Sequence, residues 1–268
     1  MPRTLFFFLC MLNLLLLSPA MADKTLEKMG DNAWEYHDAG RYEEALELGK
    51  RAYKYAREKF GEKDPETLDA LTSLAVLYRE QRYFSKAETL FEKLLKLRME
   101  VQGQNHPKTL SAMSVIAVNH HQQQRYDEAE SLYLKVLALR IRVLGEVHMH
   151  TLMTVHGIAE FYVERAKYDQ AEKFFLQILA VNKKVLGVNH SFRLSAMSNL
   201  GTIYSEQGRY DKAESSLTQV LPLRKKVLGK NDRATQATMI NLASVYLKQG
   251  RIDKAKSLYE KVYKSSKK

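Results

Sequence analysis

A step of 42 residues recurs along this chain. It links Gly61, Gly103, Gly145, Gly187 and Gly229, and also Ala45, Ala87, Ala129, Ala171, Ala213 and Ala255. One supersecondary unit is therefore repeated six times. A unit that cannot bury its apolar face alone must stack on its neighbours. The register points to a surface used for binding, not to a pocket used for chemistry.

The periodicity inside each unit is helical. In the fifth unit Met197, Leu200, Gly201 and Tyr204 fall at i, i+3, i+4 and i+7, with Ser195, Ser198, Asn199, Thr202 and Ser205 on another face. Gln207-Gly208-Arg209-Tyr210 supplies a turn. Ala213, Leu217, Val220 and Leu221 then carry an apolar stripe toward Leu228, and Gly229 stops it as an expected left-handed terminator. Pro65 and Pro107 suit the first turn of the helix that follows. Pro222 falls inside a second helix, where proline costs about 3 kcal/mol, and predicts a kink near Leu221 or an early helix end.

These units resemble the tetratricopeptide repeat (TPR) in its 42-residue form, as in kinesin light chains. The matching residues are Asn105-His106-Pro107-Lys108-Thr109-Leu110, Asn199-Leu200-Gly201-Thr202-Ile203-Tyr204 and Gln207-Gly208-Arg209-Tyr210-Asp211-Lys212-Ala213-Glu214, with Val-Leu-Gly closings at 143–145, 185–187 and 227–229. The resemblance implies an all-α fold, a right-handed α-α superhelical solenoid of six helix-turn-helix units at about 25–61, 66–103, 108–145, 150–187, 192–229 and 234–266. Ala33, Ala75, Ala117, Ala159, Gly201 and Ala243 are its small first-helix residues, and Tyr36, Tyr78, Tyr162, Tyr204 and Tyr246 fill the core one turn later. His120 replaces that tyrosine in the third unit, Met149 and Ser191 replace the loop proline, and Ala166 stands where Gly208 and Gly250 turn.

The resemblance further implies that first helices line a concave wall along which protein or peptide ligands lie. One row of that wall is Trp34, Val76, Val118, Glu160, Thr202 and Ser244. A second is Asp38, Glu80, Gln122, Glu164, Glu206 and Lys248, and a third His37, Arg79, His121, Val163, Ser205 and Leu247. The groove reads as apolar at its N-terminal end and acidic toward the middle, which suits a partner with hydrophobic anchors and basic residues. Trp34 is open to two roles, ligand anchor or core side chain. Asn199 and Asn241 are likewise open, as amides for a ligand backbone or as bonds between adjacent helices. Few cations line the wall, so the basic clamp for a C-terminal carboxylate is absent.

Second helices carry the positive charge: Lys50, Arg51, Lys54 and Arg57; Lys93, Lys96 and Arg98; Arg140 and Arg142; Lys183 and Lys184; Arg224, Lys225 and Lys226. Such a face balances helix C-termini, or alternatively binds a polyanion at the envelope. The sequence calls for no catalysis, cofactor or metal. His106, His148 and His190 recur at the repeat spacing and belong to the start of the following helix, and His120, His121 and His156 match no metal-ligand spacing. No Gly-rich phosphate loop is present, and nucleic acid is not an expected partner. The last second helix leaves an apolar edge at Leu258, Val262 and Tyr263, a surface for a partner or for self-association.

The chain of 268 residues is 45% hydrophobic and 27% charged, with a net charge of +11, so it can bury an extended core and attract acidic partners. Residues 1–22 read as a signal peptide: Arg3, the apolar run Leu5 to Leu17, and Ser18-Pro19-Ala20-Met21-Ala22 as a cleavage site. That run is short of the roughly 20 residues that span a bilayer. Cys10, the single cysteine, lies within it, so the mature chain forms no disulfide. The expected destination is the periplasm or the exterior, with membrane contact only through an uncleaved signal segment.

Overall fold

The computed structural model describes residues 23–185, 187 and 189–266. The expected signal segment, its cleavage site and Cys10 lie outside the described residues. So do Leu186 and Val188, and the side chains of Lys183 and Lys184.

The described residues form twelve α-helices in six consecutive antiparallel pairs, with no strand among them. The chain divides into two compact units between Val143 and Leu144. The first holds α1 (Lys24–Asp38) with α2 (Tyr42–Phe60), α3 (Pro65–Glu80) with α4 (Phe84–Gln102), and α5 (Pro107–Gln122) with α6 (Tyr126–Leu144). The second holds α7 (Met149–Glu164) with α8 (Tyr168–Val185), α9 (Ser191–Glu206) with α10 (Tyr210–Val227), and α11 (Arg233–Lys248) with α12 (Ile252–Ser266). No helix among the described residues is long and apolar enough to cross a membrane.

Each hairpin turns on one left-handed residue, at Gly40, Arg82, Gln124, Ala166, Gly208 and Gly250, with φ between 54° and 76°. The next backbone N–H donates back five residues, as Arg209 does to Tyr204 at 2.8 Å and Arg251 to Tyr246 at 2.8 Å. This closes the first helix in a Schellman-type turn. Two of the glycines that follow second helices are not the left-handed terminators that the sequence predicts for such positions. Gly61 has φ 91° and ψ 163°, and Gly103 φ 82° and ψ 164°. These are mirror-image extended conformations that only glycine adopts at low cost, and not left-handed helical ones.

A polar side chain caps the helix after each such glycine. Asp64 and Asp232 accept from backbone N–H groups of Glu66 and Ala234, both at 2.8 Å. His106, His148 and His190 do the same through Nδ1, at 3.2, 3.1 and 3.3 Å. The periodic histidines are therefore N-caps, at the helix starts where their spacing places them. Helix α10 runs through Pro222 to Val227 without the early end that proline predicts. Pro222 is exposed, so the carbonyl it leaves unbonded faces water.

The small and aromatic rows form the core. Ala75, Ala117, Ala159 and Ala243 are fully buried, and Tyr162, Tyr204 and Tyr246 nearly so. A second pattern ties successive hairpins together. Arg209 stacks on Tyr204 at 4.3 Å and donates to Glu172 of the preceding hairpin at 2.6 Å, while the Tyr204 hydroxyl donates to the same carboxylate at 3.0 Å. Arg251 repeats the arrangement on Tyr246 and Glu214, at 4.5 and 2.5 Å. Arg125 bonds Glu88 at 2.5 Å, with His120 in place of the tyrosine. The bond from Arg209 holds the Glu172 carboxyl below its usual range.

Candidate functional site

In the first unit, Trp34 is half-buried and packs on the core around Ala33, Leu74 and Leu77. Its indole meets the His37 ring edge-on at 5.4 Å, and His37 Nδ1 lies 3.3 Å from Asp38 Oδ1. His37 is buried, whereas the Asp38 side chain is 51% exposed. The end of α1 thus holds a partly open aromatic and an open carboxylate through one buried imidazole. Val118 is half-buried.

Val76, Arg79 and His121, expected on the open wall, are buried at 3%, 1% and 7% exposure. Two members of the third row, His37 and His121, lie beneath the residue five positions on, which opens the second helix. Tyr42 covers His37 at 5.4 Å and Tyr126 meets His121 at 6.0 Å. Arg79 folds onto Glu80, donating from Nε and Nη2 at 3.1 and 2.5 Å, so that carboxylate carries little free charge. Val76 is enclosed by packing between consecutive hairpins.

In the second unit, Glu164 and Glu206 are exposed and Asn199 is half-buried. Glu206 accepts from Lys248 Nζ at 3.2 Å, and the same ammonium reaches the Ser205 hydroxyl at 3.3 Å. Glu160 is largely buried and lies 3.5 Å from Nδ1 of His156, whose ring sits between Phe175 and Phe192. Asn241 donates to the Thr202 hydroxyl at 3.0 Å. Of its two open roles, it takes the bond between adjacent first helices.

The basic face is smaller than the sequence suggests. Arg98, Arg140 and Arg224 are buried at 3%, 2% and 6% exposure. Arg98 donates to Asp69 at 2.7 Å and Arg140 to Ser111 at 3.1 Å. Arg224 donates to Ser198, Thr238 and the Ala234 carbonyl at 3.1, 2.7 and 3.0 Å. Burial pushes Arg140 down to about 10, which leaves it cationic at neutral pH. Several lysines outside this row are paired, Lys50 with Glu47 and Lys93 with Glu62. Ala56 in the register of Arg98 and Arg140 is the one sequence sign that this row faces inward.

The capping geometry of the three histidines needs an unprotonated Nδ1. Burial lowers the His106 pKa, with the cations of Arg98 and Lys108 adding to it, and burial alone lowers that of His190. Among the described residues no three His, Cys, Asp or Glu groups are placed to hold a metal ion.

Family models described as tetratricopeptide repeat match residues 36–100, 84–142 and 150–226, and a further one matches 237–268. Among solved structures, the chain is similar to a kinesin light chain protein of Podosopora anserina with nearly identical TPR-like repeats. Identity is 24% over 76% of this chain and 96% of that one, with a TM-score of 0.65. It is also similar to BtubC (BKLC) from P. vanneervenii, at 21% identity over 91% of this chain and 92% of that one, TM-score 0.70. A third likeness is to a chain of the APC/C hetero-tetramer Cut9-Hcn1, at 16% identity over 90% of this chain and 40% of that one, TM-score 0.60. No curated protein matches the sequence.

Proposed function

The chain belongs to the tetratricopeptide repeat family, and from that premise we propose that it is an exported, non-catalytic scaffold that binds a protein or peptide along its first helices. The observation that carries this reading is the end of α1. Trp34 is half-buried there beside the open carboxylate of Asp38, both held by His37. An aromatic anchor next to a negative charge suits a ligand with an apolar side chain followed by a lysine or arginine. Val118 extends the apolar part within the same unit. Glu164, Asn199 and Glu206 are the polar counterparts in the other unit. The alternative of a polyanion-binding outer face loses support, because Arg98, Arg140 and Arg224 are turned inward.

Trp34 is the single tryptophan, so its fluorescence reports on this site directly. Proteins captured from an envelope extract in half-molar salt are expected to be lost with Trp34→Ala and with Val118→Glu. Their peptides are expected to shift Trp34 emission on titration. Capture that is unchanged in both variants would sink the proposal. Export is tested separately by mass spectrometry of the secreted or periplasmic protein, which is expected to begin at Asp23.

A further inference from the structure

The fourth hairpin, α7 with α8, departs from its neighbours at three positions of the repeat. In the second and fifth hairpins a buried arginine of the second helix meets a hydroxyl of the first: Arg98 donates to Thr72 at 3.3 Å and Arg224 to Ser198 at 3.1 Å. In the fourth, Asn182 is in register with those arginines and His156 with those hydroxyls. The third departure lies one turn on, where Glu160 stands in the row of Val76, Val118 and Thr202. Where its neighbours hold a fixed cation, this hairpin holds an imidazole beside a carboxylate, both on α7.

The pair is incompletely satisfied. His156 is 3% exposed, and neither ring nitrogen has a hydrogen-bond partner. Its Nδ1 lies 3.5 Å from Oε2 of Glu160, an ion pair only when the ring is protonated. Glu160 keeps 12% of its side chain exposed, and among the described residues no lysine or arginine pairs with it. Within the unit, α8 presents to the imidazole the ring of Phe175 and α9 that of Phe192, with centroids 5.7 and 5.4 Å away. His190 lies 5.5 Å from Phe192, with its Nδ1 given to the α9 cap, and Arg193 follows Phe192 on the same helix. A carboxylate mostly out of water gains strongly from a cation. With the imidazole neutral, the hairpin itself brings none to Oε2.

We propose that Glu160 receives the guanidinium or ammonium group of a basic ligand side chain, and that protonation of His156 closes this site. The site rests on the reading of first helices as the ligand wall, to which it adds the ligand's charge and a control on it. At neutral pH the exposed edge of the carboxylate is open to a charged N–H donor. Histidine is the side chain whose charge changes between about pH 5 and 8. Once protonated, the imidazolium competes for the same carboxylate from inside, so acid lowers the affinity for the ligand. By linkage, a bound cation disfavours the imidazolium, and binding at mildly acid pH releases a proton.

The probes are acetyl-arginine amide and acetyl-citrulline amide, which share a shape and differ in charge. Binding to the full chain is read from the backbone amide shifts of α7 in two-dimensional NMR spectra, at about pH 7.5 and about pH 5. The arginine probe is expected to bind with a Kd of about 1–10 mM at the higher pH and about tenfold more weakly at the lower, and the citrulline probe at neither. His156→Ser, the residue type at positions 114 and 198, is expected to keep the affinity at the higher pH and to lose the pH dependence. Glu160→Gln is expected to abolish binding at both. Trp34→Ala, in the other unit, is expected to leave probe binding unchanged while losing captured partners, so failure of the one reading is told apart from failure of the other. On the unaltered chain, equal affinity for the two probes, equal affinity for arginine at the two pH values, or no shift up to about 50 mM overturns the proposal. So does a pH dependence that persists in His156→Ser.

Discussion

Gly201 lies directly beneath the side chain of Leu217: a Cβ added at Gly201 would sit 2.6 Å from Leu217 Cγ. Elsewhere the row of Gly201 is alanine, and the position of Leu217 is Gly49, Phe91, Tyr133, Phe175 or Tyr259, so leucine stands there only in the hairpin that has the glycine. Glycine and the branched leucine therefore form a matched pair. Gly201→Ala is expected to destabilise by about 1–3 kcal/mol despite alanine's better helix propensity, because the crowded atom is near the root of the leucine. Adding Leu217→Phe should recover most of the loss. A double-mutant cycle by urea unfolding measures the coupling, and simple additivity would refute the pairing.

The hairpin turns predict a gain. Ala166 has φ 54°, in a position that Gly40, Gly208 and Gly250 occupy elsewhere. The left-handed conformation costs an L-residue about 1–2 kcal/mol, of which glycine's greater chain entropy returns a part. Ala166→Gly is expected to stabilise by about 0.5–1 kcal/mol, and Gly208→Ala to destabilise by about the same. Thermal melts of the two variants should move in opposite directions.

Acid should loosen the histidine caps. The folded-state pKa values of His106 and His190 lie below the ordinary 6.5, because burial disfavours the imidazolium. Their contribution is fully present above 6.5 and is lost as pH falls through those lower values, when the unfolded chain takes up the protons first. Each cap is worth about 1 kcal/mol. Unfolding free energy is expected to fall between pH 7.5 and pH 5. Replacing both histidines with aspartate, the residue at positions 64 and 232, should flatten that fall.

Asn119 is fully buried, and neither its amide nitrogen nor its oxygen has a hydrogen-bond partner. In the same register Leu77, Ile203 and Val245 are fully buried and Phe161 nearly so. An unsatisfied buried amide costs about 1–3 kcal/mol, so Asn119→Leu should stabilise by that order. A loss of stability on urea unfolding would mean that the amide is satisfied by ordered water.

The helical hairpins were legible because the 42-residue step repeats both the apolar faces and the punctuation between them. Tyr162 and Tyr204 fall in the core for that reason, and His106 at a helix start. The fate of His121 and Arg79 was not legible. A single-helix wheel leaves their row open, and contacts that the wheel does not show close it: Tyr126, at the start of the next helix, meets His121, and Arg79 turns onto Glu80. Arg224 was misplaced for a related reason. Along α10 it sits beside the exposed Lys225 and Lys226, and its acceptors, Ser198 and Thr238, come from two other helices. Burial set by a neighbouring element leaves no period in the chain's own pattern.

The joint of Glu172, Tyr204 and Arg209 has the same parts as that of Glu214, Tyr246 and Arg251. Its ends are therefore interchangeable. Excising residues 173–214 would seat Glu172 where Glu214 now lies, opposite Arg251, with every donor and acceptor of that joint conserved. A deletion one residue shorter would turn the following helix by about 100° and bury its lysines. Viable lengths for such a chain come in quanta of 42, so a hairpin can be gained or lost whole while the ladder that joins its neighbours stays intact.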